Sequence, residues 1–359
     1  MGGRNATMMV VIAAVVIAGI ELVANRASEG TLLLTLTFFT AVAQGCIVVV
    51  AIGVVAKGHW IKPVRRDLLA VYPALLLIAF LWLFMWTKLD IYRWTDTPTA
   101  YMNGSFFILR NFVVLLVSFW LARQMAKKLE KGDSAASTYA GVYIFVWVIC
   151  QSLIAFDWIM SLEYPFISTL FGGYFFVQSL LLGLTVSAWI IFFRRLAGAR
   201  GLTETLRDTG KMMFSFSFMW AGFGFTQYLV IWYGNLPEEV AYVLRRVDPS
   251  PYWGLYRVVF FSVFVIPFVT LVFRKTKTFG PVMIFIALLI ECGLMLEKIL
   301  MITPITHINP ALAVIEAIVM ITTLAVLIRN RDIIVSQLVT STVAERSHSS
   351  SDLASAPQP

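Results

Sequence analysis

The sequence predicts an all-α polytopic membrane protein: two tandem four-helix bundles with one flanking helix at each end. Three observations carry this expectation. Of the 359 residues, 59% are hydrophobic and 13% charged, whereas a soluble domain carries roughly 25% charged residues. About ten apolar runs follow one another, each of about 20 residues, the length that crosses about 30 Å of hydrocarbon. The runs also recur in fours. ILRNFVVLLVSFWL (108–121) reads like LYRVVFFSVFVIPFV (255–269), aligning Arg110 with Arg257, and one run later Asp157 in LIAFDWIM falls where Glu297 falls in LMLEKILM. Ionisable groups inside a bilayer are costly, so their recurrence in both halves points to a buried task.

The first run, 6–24, follows a single basic residue, Arg4. It is long for a signal-peptide core and lacks a convincing small-residue cleavage site, so it is expected to remain as a flanking helix, residues 1–30. Runs at 31–56, 68–87, 103–125 and 137–160 make the first bundle, 31–165, closed by a short connector with Glu163 and Pro165. Runs at 169–193, 212–233, 254–273 and 280–302 make the second, 166–304. Gly172 and Gly173 allow close packing at its start, and Pro304 follows its last run. The run 308–328 is the second flanking helix, within 305–335. The Ser-rich tail, 336–359, cannot bury a core and is expected to be disordered. Runs of helical length without ten-residue alternation exclude a porin-like barrel.

Most of the 28 Lys and Arg residues fall at the N-terminus, in the loops after the second, fourth, sixth and eighth runs, and at the C-terminus. Positive loops are retained in the cytoplasm, which places both termini there. The net charge of +8 is thereby a topology signal, and a nucleic-acid partner is not expected. The lipid bilayer is the expected surrounding.

Cys46, Cys150 and Cys292 each stand alone in an apolar run, with no C-x-x-C and no C-x-x-C-H. That spacing excludes covalent haem, an iron–sulfur cluster and structural zinc on this chain. His59, His307 and His348 lie in a loop, at a helix entrance and in the tail, so no pair of imidazoles from facing helices exists for a b-type haem. Any metal centres for redox chemistry therefore belong to partner subunits.

The remaining ionisable groups lie to one side of the bilayer. Arg110 and Glu316 fall about eight residues inside runs that enter from the outside, and Asp157, Glu297 and Lys298 lie in runs that end there; at 1.5 Å per residue all sit in or near the outer half. Glu21 joins them and Glu291 lies near the midplane. Such a cluster suits a proton half-path, with Glu291, Glu297 and Glu316 in series, or a pocket for a quinone headgroup. The alternative is structural: Arg110 with Asp157 and Glu297 with Lys298 as pairs that lock helices together, and Glu21 and Arg257 snorkelling to the interface.

Two strings are more specific. DWIMSLEYPFISTLFGGYFF (157–176) carries a carboxylate out of a helix and into a short connector; FTQYLVIWYGNLPEE (225–239) sets interfacial aromatics before an acidic turn. Together they resemble the NrfD/PsrC-like membrane subunits of respiratory complexes, most closely the ActF-type subunit of bacterial alternative complex III, a quinol:electron-acceptor oxidoreductase. The resemblance spans about residues 30 to 330. It implies two tandem four-helix bundles and a proton-conducting or scaffolding role. Quinone or menaquinone is the implied small-molecule ligand; a sister NrfD-like subunit, a multihaem cytochrome c and an iron–sulfur subunit are the implied partners in the bacterial inner membrane. By position it assigns Asp157, Glu163, Gln227, Tyr233, Asn235, Pro237, Glu238, Glu239 and Glu297. Lys298 stands where an aromatic is expected, and EYP replaces a DPH-like connector.

The expected function is a haem-free membrane subunit of a quinol-oxidising complex. Two alternatives remain: a proton-coupled secondary transporter using Asp157, Glu291, Glu297 and Glu316, and a purely structural anchor. A repeat of four helices keeps both halves in one orientation, unlike the inverted repeats of many transporters.

Overall fold

The computed structural model describes residues 2–24, 29–247 and 252–338; it is 83% helical, with no strand among the described residues. The helices are labelled α1 (Gly2–Ala24), α2 (Glu29–Val55), α3 (Pro73–Trp82, continuing as 3-10 turns Leu83–Ile91), α4 (Gly104–Glu130), α5 (Ala136–Leu153, continuing as a π turn Ile154–Ile159 and a 3-10 turn Met160–Glu163), α6 (Phe171–Leu196), α7 (Thr203–Gly234), α8 (Pro237–Val247), α9 (Trp253–Phe260, with a π turn Phe261–Val265 and Ile266–Leu271), α10 (Gly280–Ile302) and α11 (Pro310–Arg329). Among the described residues seven helices are long and apolar enough to cross a membrane, and the chain is an all-α polytopic membrane protein.

α2, α3, α4 and α5 pack in a ring, and α6, α7, α9 and α10 pack in a second ring of the same cyclic order. The rings join chiefly along α2 and α6. Small residues make that seam: a Cβ on Gly45 would lie 2.0 Å from the Ser179 carbonyl oxygen, and one on Gly183 would lie 2.2 Å from the Gly45 backbone. Ser179 Oγ donates to the Ala41 carbonyl at 2.8 Å across the same crossing. α2 is apolar on every side and buried along nearly its whole length, as a helix at the centre of a large assembly must be. Two of its threonines return their hydroxyls to their own helix, Thr37 to the Leu33 carbonyl at 2.7 Å and Thr40 to Leu36 at 2.5 Å. α1 and α11 pack on each other and on α3 and α2.

Two helices depart from regular geometry for readable reasons. Pro267 has no N–H to offer the Val263 carbonyl, and α9 passes through its π turn just before it. Ser217 Oγ of α7 donates to that freed carbonyl instead. In α5 the π turn Ile154–Ile159 admits an extra residue and aims Asp157 and Trp158 into the bundle, where both are buried.

One end of the molecule is basic. Arg194 at the end of α6 and Arg331 beyond α11 both reach Asp67, at 3.1 Å each, and Arg66 pairs with Glu130 at the end of α4. The opposite end carries the connector 160–170 and α8. Element bounds follow the apolar runs except at three places. α7 begins at Thr203, before the apolar stretch, because its polar first turns extend beyond the core. The third run ends in 3-10 turns that carry Lys88 inward. A helical stretch also continues over 331–338, past the boundary drawn at 336; the rest of the tail, 339–359, lies outside the described residues.

Candidate functional site

In the first bundle, Asn103 caps α4 by accepting from the Phe106 N–H at 2.9 Å, which sets Arg110 two turns in. Its Nε donates to Asp157 Oδ2 at 2.7 Å, and its side chain is only 9% exposed. Nη1 donates to the Tyr101 carbonyl at 2.6 Å, and the guanidinium lies 4.0 Å from the Tyr101 ring centre. The neighbouring Asn111 donates to the same Asp157 oxygen at 2.8 Å and accepts from Trp158 Nε1 at 2.9 Å. Trp158 stacks on Trp82 with centroids 4.1 Å apart. Asp157 is therefore the hub of a buried charge-assisted cluster. Deeper in the same bundle Gln44 donates to Ser118 and to Cys150, at 3.0 Å each, and accepts from Gln151 at 2.8 Å.

The second bundle is built differently. Glu297, on α10, accepts from three side chains: Tyr174 through Oε1, and Gln178 at 2.7 Å and Trp220 at 3.2 Å through Oε2. These donors come from α6 and α7. Tyr174, Trp220 and Glu297 form the floor of a cavity of about 420 Å³ whose walls are mostly aromatic and aliphatic, including Phe171, Tyr228, Trp253, Tyr256 and Phe260. Gln227 lines it as well. Apolar cavities of roughly 300 to 1,000 Å³ with a few convergent polar groups are the usual form of a small-molecule site.

α8 closes this end. Asn235, in the left-handed conformation at φ 47°, ends α7 and turns the chain, and α8 runs across the bundle with Tyr242, Val243 and Arg246 toward the cavity. Arg246 pairs with Glu163, donates to the Leu300 and Met301 carbonyls at 3.2 and 3.1 Å, and stacks 3.8 Å over the Tyr242 ring. Arg245 reaches the other Glu163 oxygen at 3.0 Å. Glu163 thus ties the connector of the first bundle to the roof of the second. Burial pushes the Tyr242 phenol up to about 12, so it stays neutral.

Several sequence expectations need correction. Glu297 and Lys298 are not an ion pair: successive helical residues diverge by about 100°, and Lys298 donates instead to Gln178 Oε1 and sits 3.3 Å over the Phe175 ring. Glu291 does not share a face with Glu297, since six residues are about 1.7 turns; it accepts from Trp189 at 3.1 Å. Glu316 joins neither. It accepts from Thr35 at 2.5 Å in a cluster with Glu21 and Lys88, where Lys88 Nζ is 2.7 Å from Glu21, so the three-acid series is broken and Glu21 does not snorkel. Arg257 is exposed and lies beside Trp253, 5.5 Å from its ring, because α9 turns Val259, Ser262 and Val263 inward. Tyr233 is 86% exposed, and Glu238 is exposed on the first turn of α8, clear of the cavity.

The residues not singled out from sequence are Lys88, Asn111, Tyr174, Gln178, Trp220, Arg245 and Arg246. Gln178, Asn111 and Lys88 carry a signal, a polar side chain in or beside an apolar run; the others look like ordinary belt or loop residues. Among the described residues no group of three or more His, Cys, Asp or Glu side chains could hold a metal ion. The fold and these sites define a multi-pass helical membrane protein with buried, hydrogen-bonded carboxylates. No protein-family model matches the chain, and no curated protein matches it.

Proposed function

We propose that the chain is a haem-free integral subunit of a quinol-oxidising respiratory complex of the alternative complex III type, with both termini cytoplasmic in the bacterial inner membrane. Its second bundle contacts the quinone headgroup, and partner subunits carry the electrons. The observation that supports this reading is Glu297 at the floor of the aromatic cavity. A carboxylate oxygen offers about two acceptor positions. Oε2 of Glu297 is filled by Gln178 and Trp220, but Oε1 takes only Tyr174. One acceptor position is left for a hydroxyl in the cavity. The aromatic walls suit a flat ring, and a quinol hydroxyl bound there gives its proton to Glu297, which is the part of the reaction this chain supplies. Arg110 and Asn111 both donate to Oδ2 of Asp157, while Oδ1 meets no donor among the described residues; with its guanidinium counter-ion in place, this cluster is better suited to holding the first bundle in shape.

The test is affinity purification from native membranes, with a photoreactive menaquinone analogue added beforehand. The expected result is co-purification with multihaem cytochrome and iron–sulfur subunits, and labelling at cavity residues such as Tyr228 or Tyr256. A chain that purifies alone and takes no label would leave the transporter or the anchor standing.

A further inference from the structure

We propose that the cavity at the arginine-rich end is a binding site for a phosphate group, carried by an acidic phospholipid headgroup or free in solution. The cavity holds about 540 Å³ and is lined by Lys62, Arg65, Arg66, Arg194 and Arg331, with Asp67 and Asp332 as its acids. It lies at the far end of α6 from the Glu297 cavity and does not depend on the quinone reading.

Three of the five cations are matched by carboxylates. Asp67, its side chain 2% exposed, holds Arg194 and Arg331 at 3.1 Å each. Glu130 takes Arg66, and Asp332 lies 3.8 Å from Arg331 and 3.9 Å from Arg66. Lys62 and Arg65 form no ion pair among the described residues, so five cations face three carboxylates and two positive charges are in excess. The guanidiniums held by Asp67 also keep donors available. Arg194 uses Nη1 alone, on Asp67 and the Pro63 carbonyl, and Arg331 reaches both its acids through Nε alone. A guanidinium has five N–H donors and no acceptor, and its planar fork matches the oxygens of a phosphate. Asp67 thus orients two arginines by one edge and leaves their other donors for an anion.

The place of the cavity favours a lipid as the source. Arg194 is in the last turn of α6, and Arg331 follows Arg329, where α11 ends. Both helices are long and apolar enough to cross a membrane. The cavity therefore sits at headgroup level, where basic pockets between helices take up acidic lipid.

The test is native mass spectrometry of the purified full-length chain titrated with phosphatidylglycerol or phosphatidylcholine, alongside melting curves in inorganic phosphate or in chloride of equal ionic strength. Phosphatidylglycerol should bind at a saturable site and phosphatidylcholine should not. Lys62→Gln/Arg65→Gln should weaken that binding on the order of thirtyfold, the loss of two surface cations. Arg274→Gln/Lys275→Gln removes the same charge from an exposed loop at the same end, which Arg195 meets at Thr278, and should leave binding unchanged. Stabilisation by inorganic phosphate beyond chloride identifies free phosphate as a ligand too; its absence, with phosphatidylglycerol bound, assigns the site to lipid. The site is overturned if the chain prefers neither phosphatidylglycerol nor inorganic phosphate over its control, or if the two double variants weaken binding equally.

Discussion

Gln178 is held between Glu297 and Lys298: its Nε2 donates to Glu297 at 2.7 Å, and its Oε1 accepts from the Lys298 ammonium. Two neighbouring charges on α10 are thereby connected through a neutral amide on α6 instead of touching each other. The amide fixes both side chains, of which Glu297 lines the cavity.

Replacing Gln178 with Leu therefore removes a donor from Glu297 and the acceptor from Lys298 at one stroke. Leaving buried polar groups unsatisfied costs about 1–3 kcal/mol each, more for charged groups. A lower melting temperature of the purified chain is expected, and an unchanged one would show that the amide is not needed. Gln178→Glu keeps an acceptor for the lysine but sets a second carboxylate against Glu297, so it should lower the melting temperature as well.

Glu297→Gln tests the acceptor role. The variant keeps its shape but cannot take the proton, and general-base losses run at about 10²–10⁴-fold. Quinol-driven turnover of the intact complex should fall by about that factor with assembly unchanged. Tyr233→Phe and Glu238→Gln, both on the exposed rim, should leave turnover within error. Full activity in Glu297→Gln would move the chemistry elsewhere.

For the first bundle the expectation is stability alone. Removing one partner of a buried ion pair costs about 3–5 kcal/mol, while replacing both with apolar residues is often close to neutral. Arg110→Met should destabilise the chain strongly. Adding Asp157→Leu should recover part of the loss, readable as a partial return of melting temperature. If the double variant is worse than the single, Asp157 does more than pair with Arg110.

The helix crossing gives the sharpest steric prediction. A side chain at Gly183 meets backbone at 2.2 Å, which a rotamer change cannot relieve. Gly183→Val should abolish accumulation of the folded chain. Gly141→Val is the control, since nothing lies within 4 Å of a Cβ there; equal yields from the two variants would mean that the seam is not closely packed in the membrane.

The sequence made the Arg110–Asp157 contact readable because both are ionisable, lie on consecutive long runs and sit at similar depth. Glu297 was readable as a buried acid, but its partners were not. Tyr174 and Trp220 look like belt aromatics until α6 and α7 are in place. Glu316 was assigned to the wrong neighbours because chain order puts it after Glu297, whereas α11 packs on α1 and α2, far back in sequence. Lys88 stands just past an apolar run, a polar residue worth noting, but only the 3-10 turns show that it points inward. Arg245 and Arg246 lie in a loop-like stretch, and a purely local reading offers no sign that a carboxylate of the first bundle waits for them.

The glycine crossing of α2 on α6 also bears on electrical insulation. A membrane protein built from two bundles must keep ions and water from leaking along the line where the bundles join. Where Gly45 and Gly183 meet, backbone lies directly on backbone, leaving no room for even a water molecule along the line of contact. The two bundles are thus joined along a dry, close-packed line, and a path for water or ions between them is closed at that crossing. The same small residues that fuse the two halves would let the membrane hold its voltage across them.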